Sequence, residues 1–242
     1  MRRRITNHES RITNTLLLLI LASCFLIPDS VFAQSVDLLS QGDGYTPPFY
    51  QGRTLWSSQS RVTLRAIPQG LGNPSNLNYK WTKNGTVLGS ISGVGKSTLS
   101  FMDSILSRSQ NIKVEIIAGS GAVLAESSTT LNPTQPSLLV YENNPLYGFM
   151  LHRGVSGNYK LNSPEITFAA FPLFFSTNSR TDNLNYEWQT NDGTRETKNA
   201  VTYRIPEGGK GASQVTLHVS NQDKILQDVS ESFLVQFGAT NE

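Results

Sequence analysis

The block Leu77-Asn78-Tyr79-Lys80-Trp81 returns as Leu184-Asn185-Tyr186-Glu187-Trp188 just over 100 residues further along the chain. A repeat at this distance constrains the fold more than any composition does, because the chain must then build one unit twice. The flanks repeat in the same order. Val62-Thr63-Leu64-Arg65-Ala66-Ile67-Pro68 matches Ile166-Thr167-Phe168-Ala169-Ala170-Phe171-Pro172. Ser97-Thr98-Leu99-Ser100-Phe101 parallels Val201-Thr202-Tyr203-Arg204-Ile205, and Val114-Glu115-Ile116 parallels Val215-Thr216-Leu217. A weaker upstream match pairs Pro48-Phe49-Tyr50-Gln51-Gly52 with Pro145-Leu146-Tyr147-Gly148. Only the spacings change, as duplication followed by loop drift would leave them.

Within each block the apolar residues alternate. Val62, Leu64 and Ala66 interleave with Arg61, Thr63 and Arg65, and Leu184, Tyr186 and Trp188 with Asn185, Glu187 and Gln189. Period two buries one face of a strand and wets the other, as in an antiparallel sandwich. Asn84-Gly85 and Asp192-Gly193 follow the two Trp strands and supply the positive φ of hairpin turns. No stretch beyond the N-terminus has a helical period long enough for a helix. The expected fold is all-β: two tandem immunoglobulin-like antiparallel sandwiches, with Tyr79, Trp81, Tyr186 and Trp188 as structural core. Leu138-Leu139-Val140-Tyr141 is apolar at consecutive positions and reads as a strand covered on both sides.

Arg2, Arg3, Arg4 and Arg11 precede an apolar run of 12 residues, Leu16 to Ile27, then Pro28 and Val31-Phe32-Ala33. That order is a signal peptide with cleavage after Ala33. The run is shorter than the roughly 20 residues of a membrane span. Leu21-Ala22-Ser23-Cys24 also resembles a lipoprotein box, so lipidation at Cys24 is the alternative, although the apolar run continues past the cysteine. The expected organisation is signal peptide 1–33, sandwich 34–131, proline-containing linker 132–136, sandwich 137–237 and a disordered tail 238–242. The expected location is exported: extracellular, cell surface or periplasmic. Cys24 is the only cysteine, so the part after residue 33 must hold together without an intramolecular disulfide.

The chain carries a formal net charge of +2. From Gln34 onward it has 16 basic and 16 acidic side chains, which removes the electrostatic argument for nucleic-acid binding. Residues 34–133 carry eight basic and five acidic groups, and residues 134–242 eight and eleven.

Tyr79-Lys80-Trp81 with Asn84-Gly85, and Tyr186-Glu187-Trp188 with Asp192-Gly193, resemble the Y-x-W strand and following turn of PKD and bacterial immunoglobulin-like modules. The resemblance covers most of residues 55–133 and 160–237. It implies sandwiches of about seven strands with a buried Trp on the third. The whole chain is also similar to two-domain exported proteins of candidate-phyla bacteria.

Few residues suggest chemistry. Gly93-Val94-Gly95-Lys96-Ser97-Thr98 approximates a phosphate-binding loop, but that loop needs an earlier glycine where Ser90 stands and a helix after it. Thr98-Leu99-Ser100-Phe101 alternates as a strand, so a hairpin loop without nucleotide is expected. His152 and His218 have no nucleophile or orienting carboxylate at a readable spacing. Asp182-Asn183 and Asn191-Asp192 sit at opposite ends of one strand and cannot share an ion. No metal or cofactor is expected. Asn84-Gly85-Thr86 fits a glycan acceptor but reads as the hairpin turn.

Two aromatic clusters remain. Pro47-Pro48 stiffens the segment that carries Tyr45, Phe49 and Tyr50, and Phe174-Phe175 follows the point where alternation stops. Tyr45, Phe49, Tyr50, Phe174 and Phe175 are the candidate partner-binding residues, for a protein or glycan of the cell envelope. Their other reading is that they cap the sandwiches or fill the interdomain seam. The functional expectation is a non-catalytic module for adhesion, spacing or surface assembly. The alternative is a glycan-binding or weakly glycan-active protein.

Overall fold

The computed structural model describes residues 33–205 and 207–238. The predicted signal peptide up to residue 32, with Cys24, lies outside the described residues, as does all of the predicted tail but Gly238. The first sandwich runs β1 (Ser35–Gly42), β2 (Arg61–Gln69), β3 (Asn78–Lys83), β4 (Thr86–Val87), β5 (Gly93–Val94), β6 (Thr98–Met102), β7 (Gln110–Ile117) and β8 (Val123–Leu131). Its sheets are β1-β2-β6 and β4-β3-β7-β8, with β5 also pairing β3. The second runs β9 (Ser137–Asn144), β10 (Gly148–Gly154), β11 (Gly157–Lys160), β12 (Glu165–Leu173), β13 (Leu184–Thr190), β14 (Arg195–Glu196), β15 (Ala200–Arg204), β16 (Gly211–Asn221) and β17 (Asp228–Phe237). Its sheets are β10-β9-β12-β15 and β11-β17-β16-β13-β14. Pairing is antiparallel apart from β11 on β17. The architecture is two tandem immunoglobulin-like β-sandwiches.

Alternation does the sorting. Val62, Leu64 and Ala66 are buried while Arg61 and Arg65 are exposed. Tyr79 and Trp81 meet Leu99, Ile112, Val114 and Ile116 in one core. Tyr186 and Trp188 meet Phe168, Val215, Leu217 and Val219 in the other. Each such side chain contributes about 1.5–3 kcal/mol by leaving water. The register corrects two of the sequence matches by two residues: Trp81 faces Val114 where Trp188 faces Leu217, and Val62 faces Phe101 where Ile166 faces Tyr203, so Val114 corresponds to Leu217 and not Val215, and Phe101 to Tyr203 and not Ile205.

Asn84 (φ 50°) and Gly85 (φ 81°) close the β3–β4 hairpin with both residues left-handed. Asp192-Gly193 sits in a longer turn in which only Gly193 is left-handed, at φ 87°. There the Asp192 carboxylate accepts from the Thr194 amide at 2.9 Å and from the Thr190 hydroxyl. Helical backbone among the described residues is limited to two short 3-10 turns, Pro74–Asn76 and Gly89–Ile91.

The halves diverge between β1 and β2 in the first sandwich and between β9 and β12 in the second. In the first sandwich residues 43–60 form an irregular arm. In the second, the corresponding stretch is the β9–β10 hairpin and β11. The weak upstream match is therefore not a structural equivalence: Phe49 is half-buried in the arm, whereas Leu146 and Tyr147 stand 83% and 78% exposed at the hairpin tip. The linker is bonded to the same arm, with the Thr134 amide donating to the Trp56 carbonyl at 2.7 Å and Thr134 bridging Ser57.

Candidate functional site: the seam between the sandwiches

Alternation fails from Ala169 onward because β12 is covered on both faces. Phe168, Ala170 and Phe175 point into the second core. Ala169, Phe171, Leu173 and Phe174 are just as buried but belong to neither core cluster. What meets this outer face is the arm of the first sandwich. Phe49 packs edge-on to Phe171 at 5.1 Å and to Tyr141 at 5.7 Å between ring centroids. Phe149 meets Phe171 at 5.0 Å, and Tyr50 meets Phe174 at 5.7 Å. Edge-to-face pairs of this kind contribute about 0.5–1.5 kcal/mol each beyond the area they bury. Leu138 and Val140 lie in the second core while Tyr141 faces Phe49, so β9 too is covered on both sides.

Backbone pairing fixes the arm's position. The Tyr45 amide donates to the Phe175 carbonyl at 2.7 Å, and the Phe174 amide donates to the Tyr45 carbonyl at 2.8 Å. Phe174 is held at φ 64°, a left-handed conformation that costs a bulky residue energy and persists only when its surroundings dictate it. Gly44 permits the approach, since a Cβ there would lie 3.2 Å from the Phe174 backbone.

A buried amide completes the seam. Gln227, between β16 and β17, is fully buried. Its Nε2 donates to the Ser58 carbonyl at 2.7 Å and to Ser57 Oγ at 3.3 Å. Its Oε1 accepts from the Ser176 amide at 2.7 Å and Asn221 Nδ2 at 3.0 Å. Gln59 Oε1 accepts from the Leu226 amide at 2.9 Å. Sequence reasoning missed Gln227, because Lys224-Ile225-Leu226-Gln227-Asp228 reads as an ordinary polar loop.

Arg180 lies over Phe171 at 4.9 Å and Phe149 at 5.5 Å. Its Nη1 is buried without a hydrogen-bond partner among the described residues, so ring faces meet the charge in place of an acceptor. Burial pushes the Tyr45 and Tyr186 phenols up, with the Arg180 charge opposing in both. The Tyr186 hydroxyl donates to the Arg180 carbonyl and so orients this loop.

All five candidate partner-binding aromatics thus lie in or against the seam. Phe174 and Phe175 are 6% and 0% exposed, and Tyr45, Phe49 and Tyr50 are half-buried. Their side chains are taken up within the chain itself.

The remaining singled-out residues lie apart. The Gly93–Thr98 segment leads from β5 into β6, and Lys96 Nζ donates to the Ser90 carbonyl at 2.7 Å on the surface. His152 is exposed on β10, and His218 Nδ1 lies 2.9 Å from Ser230 Oγ on the open face of β16. Among the described residues no three His, Cys, Asp or Glu side chains converge. A separate trough of about 690 Å³ on the first sandwich is lined by Arg53, Arg61 and Arg65, with Asp43 at one side.

No family model and no curated protein matches the chain. Among solved structures, the fibronectin(III)-like modules of Clostridium thermocellum CbhA align at 12% identity over 84% of this chain and 98% of that one, with a TM-score of 0.28. The Ig1–Ig3 ectodomain of mouse nectin-like molecule 4 aligns at 10% identity over 87% and 68%, with a TM-score of 0.30. The CFA/I adhesin CfaE of enterotoxigenic E. coli aligns at 9% identity over 89% of each chain, with a TM-score of 0.26. At these scores the likenesses carry no argument, and the fold stands on its own strand order and register.

Proposed function

We propose that the protein is a non-catalytic module of the cell exterior whose two sandwiches act as one brace. The observation that carries this reading is Gln227, a fully buried side chain whose hydrogen bonds reach Ser57 and Ser58 across the seam. Loosely tethered domains have no use for a buried, fully bonded amide between them, because any opening leaves polar groups unpaired. Exported, envelope-associated placement belongs to the same proposal and rests on the N-terminal segment. So does the narrower kinship with PKD modules, which rests on the Tyr-x-Trp strands and their turns.

Small-angle scattering on the chain from Gln34 onward tests the brace. One narrow distribution of interdomain distances, unchanged by salt, is expected, broadening in Phe171→Ala. A broad distribution in the unaltered protein contradicts the reading. Turnover of an envelope polysaccharide, abolished by one Asp or Glu substitution, would replace it with the enzymatic alternative.

The arginine trough favours a second reading, contact with an acidic glycan. Arg53, Arg61 and Arg65 put three positive charges on one face of the more basic half. Binding to an anionic polysaccharide that falls with salt and is lost in Arg61→Ala/Arg65→Ala supports it. Equal binding to a neutral polysaccharide counts against it.

A further inference from the structure

The lower ends of the two sandwiches, where β3, β6 and β8 finish in one and β13, β15 and β17 in the other, are closed differently. In the first, Trp56 of the arm fills the end. It is 4% exposed, joins Val62 and Leu131 in the core cluster, and sits edge-on to Phe101 at 6.1 Å. Its indole N–H donates to the Ser60 carbonyl at 3.1 Å.

In the second sandwich Tyr203 occupies the register position of Phe101. Leu161 stands at the corresponding place in the chain, shortly before the strand that starts the duplicate block. Both plug residues are tied by backbone bonds: the Leu161 amide donates to the Gln236 carbonyl at the end of β17 at 2.8 Å, and the Trp56 carbonyl accepts from the amide of Thr134, in the linker three residues past β8, at 2.7 Å. The leucine is smaller than the indole it parallels. What remains is a cleft of about 450 Å³ between the sheets, walled by Tyr203 and Phe237 and reaching Val215 and Val235 of the core. That size falls in the range of about 300–1,000 Å³ typical of ligand pockets. The polar rim is preorganised: Ser213 Oγ donates to Asn191 Oδ1 at 2.6 Å, and the Thr194 amide to the Asp192 carboxylate at 2.9 Å.

We propose that the open lower end of the second sandwich is a binding site for an aromatic side chain, tryptophan foremost, presented by an extended polypeptide. The occupant is argued from the duplicate: the same end of the same fold in the same chain is filled by an indole carried on a segment outside any strand. The site does not depend on the brace, being at the end of the second sandwich away from the seam. Burial pushes the Tyr203 phenol up to about 12, so its hydroxyl stays protonated beside the cleft at neutral pH.

The test titrates the full chain with a synthetic peptide copying residues 52–60, which contains Trp56, and with the W56A form of that peptide. Expected are saturable binding of the first, chemical-shift changes at Tyr203, Val215 and Phe237, and at least tenfold weaker binding of the second. Leu161→Trp supplies the plug within the chain, so its Tm rises and peptide binding is lost. If that variant does not fold, Phe237→Ser decides: loss of binding with unchanged circular dichroism supports the site, and retained binding overturns it. Equal binding of the two peptides also overturns it. So do an absence of shifts in the cleft at millimolar peptide, peptide binding retained in folded Leu161→Trp, and occupation of the cleft by a chito-oligosaccharide in place of the peptide.

Discussion

The indole N–H of Trp81 donates to the carbonyl of Lys96 at 2.8 Å, and the duplicate sandwich repeats the bond, Trp188 to the carbonyl of Lys198, also at 2.8 Å. Each Trp therefore does two things. It fills the core, from the third strand of the first sandwich and the fifth of the second, and pins the segment that leads into the strand opposite.

Trp81→Ala or Trp188→Ala is expected to cost about 3–5 kcal/mol, the range for truncating a large core aromatic. Phe at either position keeps most of the volume and strands the Lys carbonyl, for about 1–3 kcal/mol. Denaturant unfolding of each variant measures both. A near-neutral Trp→Ala result would mean that the strand presents its other face to the core.

Gln227→Ala removes an amide that serves both domains. Each buried group left unpaired costs about 1–3 kcal/mol. The unfolding of the variant should separate into two steps where the parent shows one, and scattering should report a wider spread of interdomain distances. A single unshifted transition would show that the aromatic contacts alone hold the seam.

In alkali the second sandwich has the weaker position. Burial pushes up the phenols of Tyr159, Tyr186 and Tyr203, the last to about 12. An unfolded tyrosine releases its proton near pH 10. Above that value the folded state holds protons that the unfolded state has lost, so stability falls as pH rises and keeps falling until the folded groups ionise. Tyr203→Phe should remove part of this loss. Equal declines in denaturant midpoint for parent and variant, between about pH 9 and pH 11, would contradict the assignment.

Lys96→Ala should change stability by no more than about 0.5 kcal/mol, as surface substitutions do. The ammonium reaches only the exposed Ser90 carbonyl. Saturable ATP binding lost in this variant would mean that the glycine-rich turn holds phosphate after all.

The sandwich architecture was legible because period two assigns alternate residues to opposite faces. Val62, Leu64, Tyr186 and Trp188 can be placed by counting. One doubly covered strand could also be read, from Leu138 to Tyr141, since unbroken apolar residues need cover on both faces. That the seam takes up the candidate aromatics was one of two readings; which residues of the first sandwich meet which of the second could not be read, because Phe49 and Phe171 are 122 positions apart and nothing local relates them. Gln227 was invisible for a similar reason: its burial exists only once the domains meet. The open end of the second sandwich escaped notice because it depends on a leucine standing near where an unaligned arm puts a tryptophan.

The arm also sets a problem of timing. Phe49 and Tyr50 precede their partners Phe171 and Phe174 by more than a hundred residues. At about 5–20 residues per second of synthesis, the first sandwich can finish several seconds before anything exists to cover them. A nascent chain halted before residue 171 would display those rings on an otherwise complete domain, a sticky surface that vanishes when the second domain arrives. Whatever meets the nascent chain must shield it over that interval, and truncation after the first sandwich should yield a folded but aggregation-prone product.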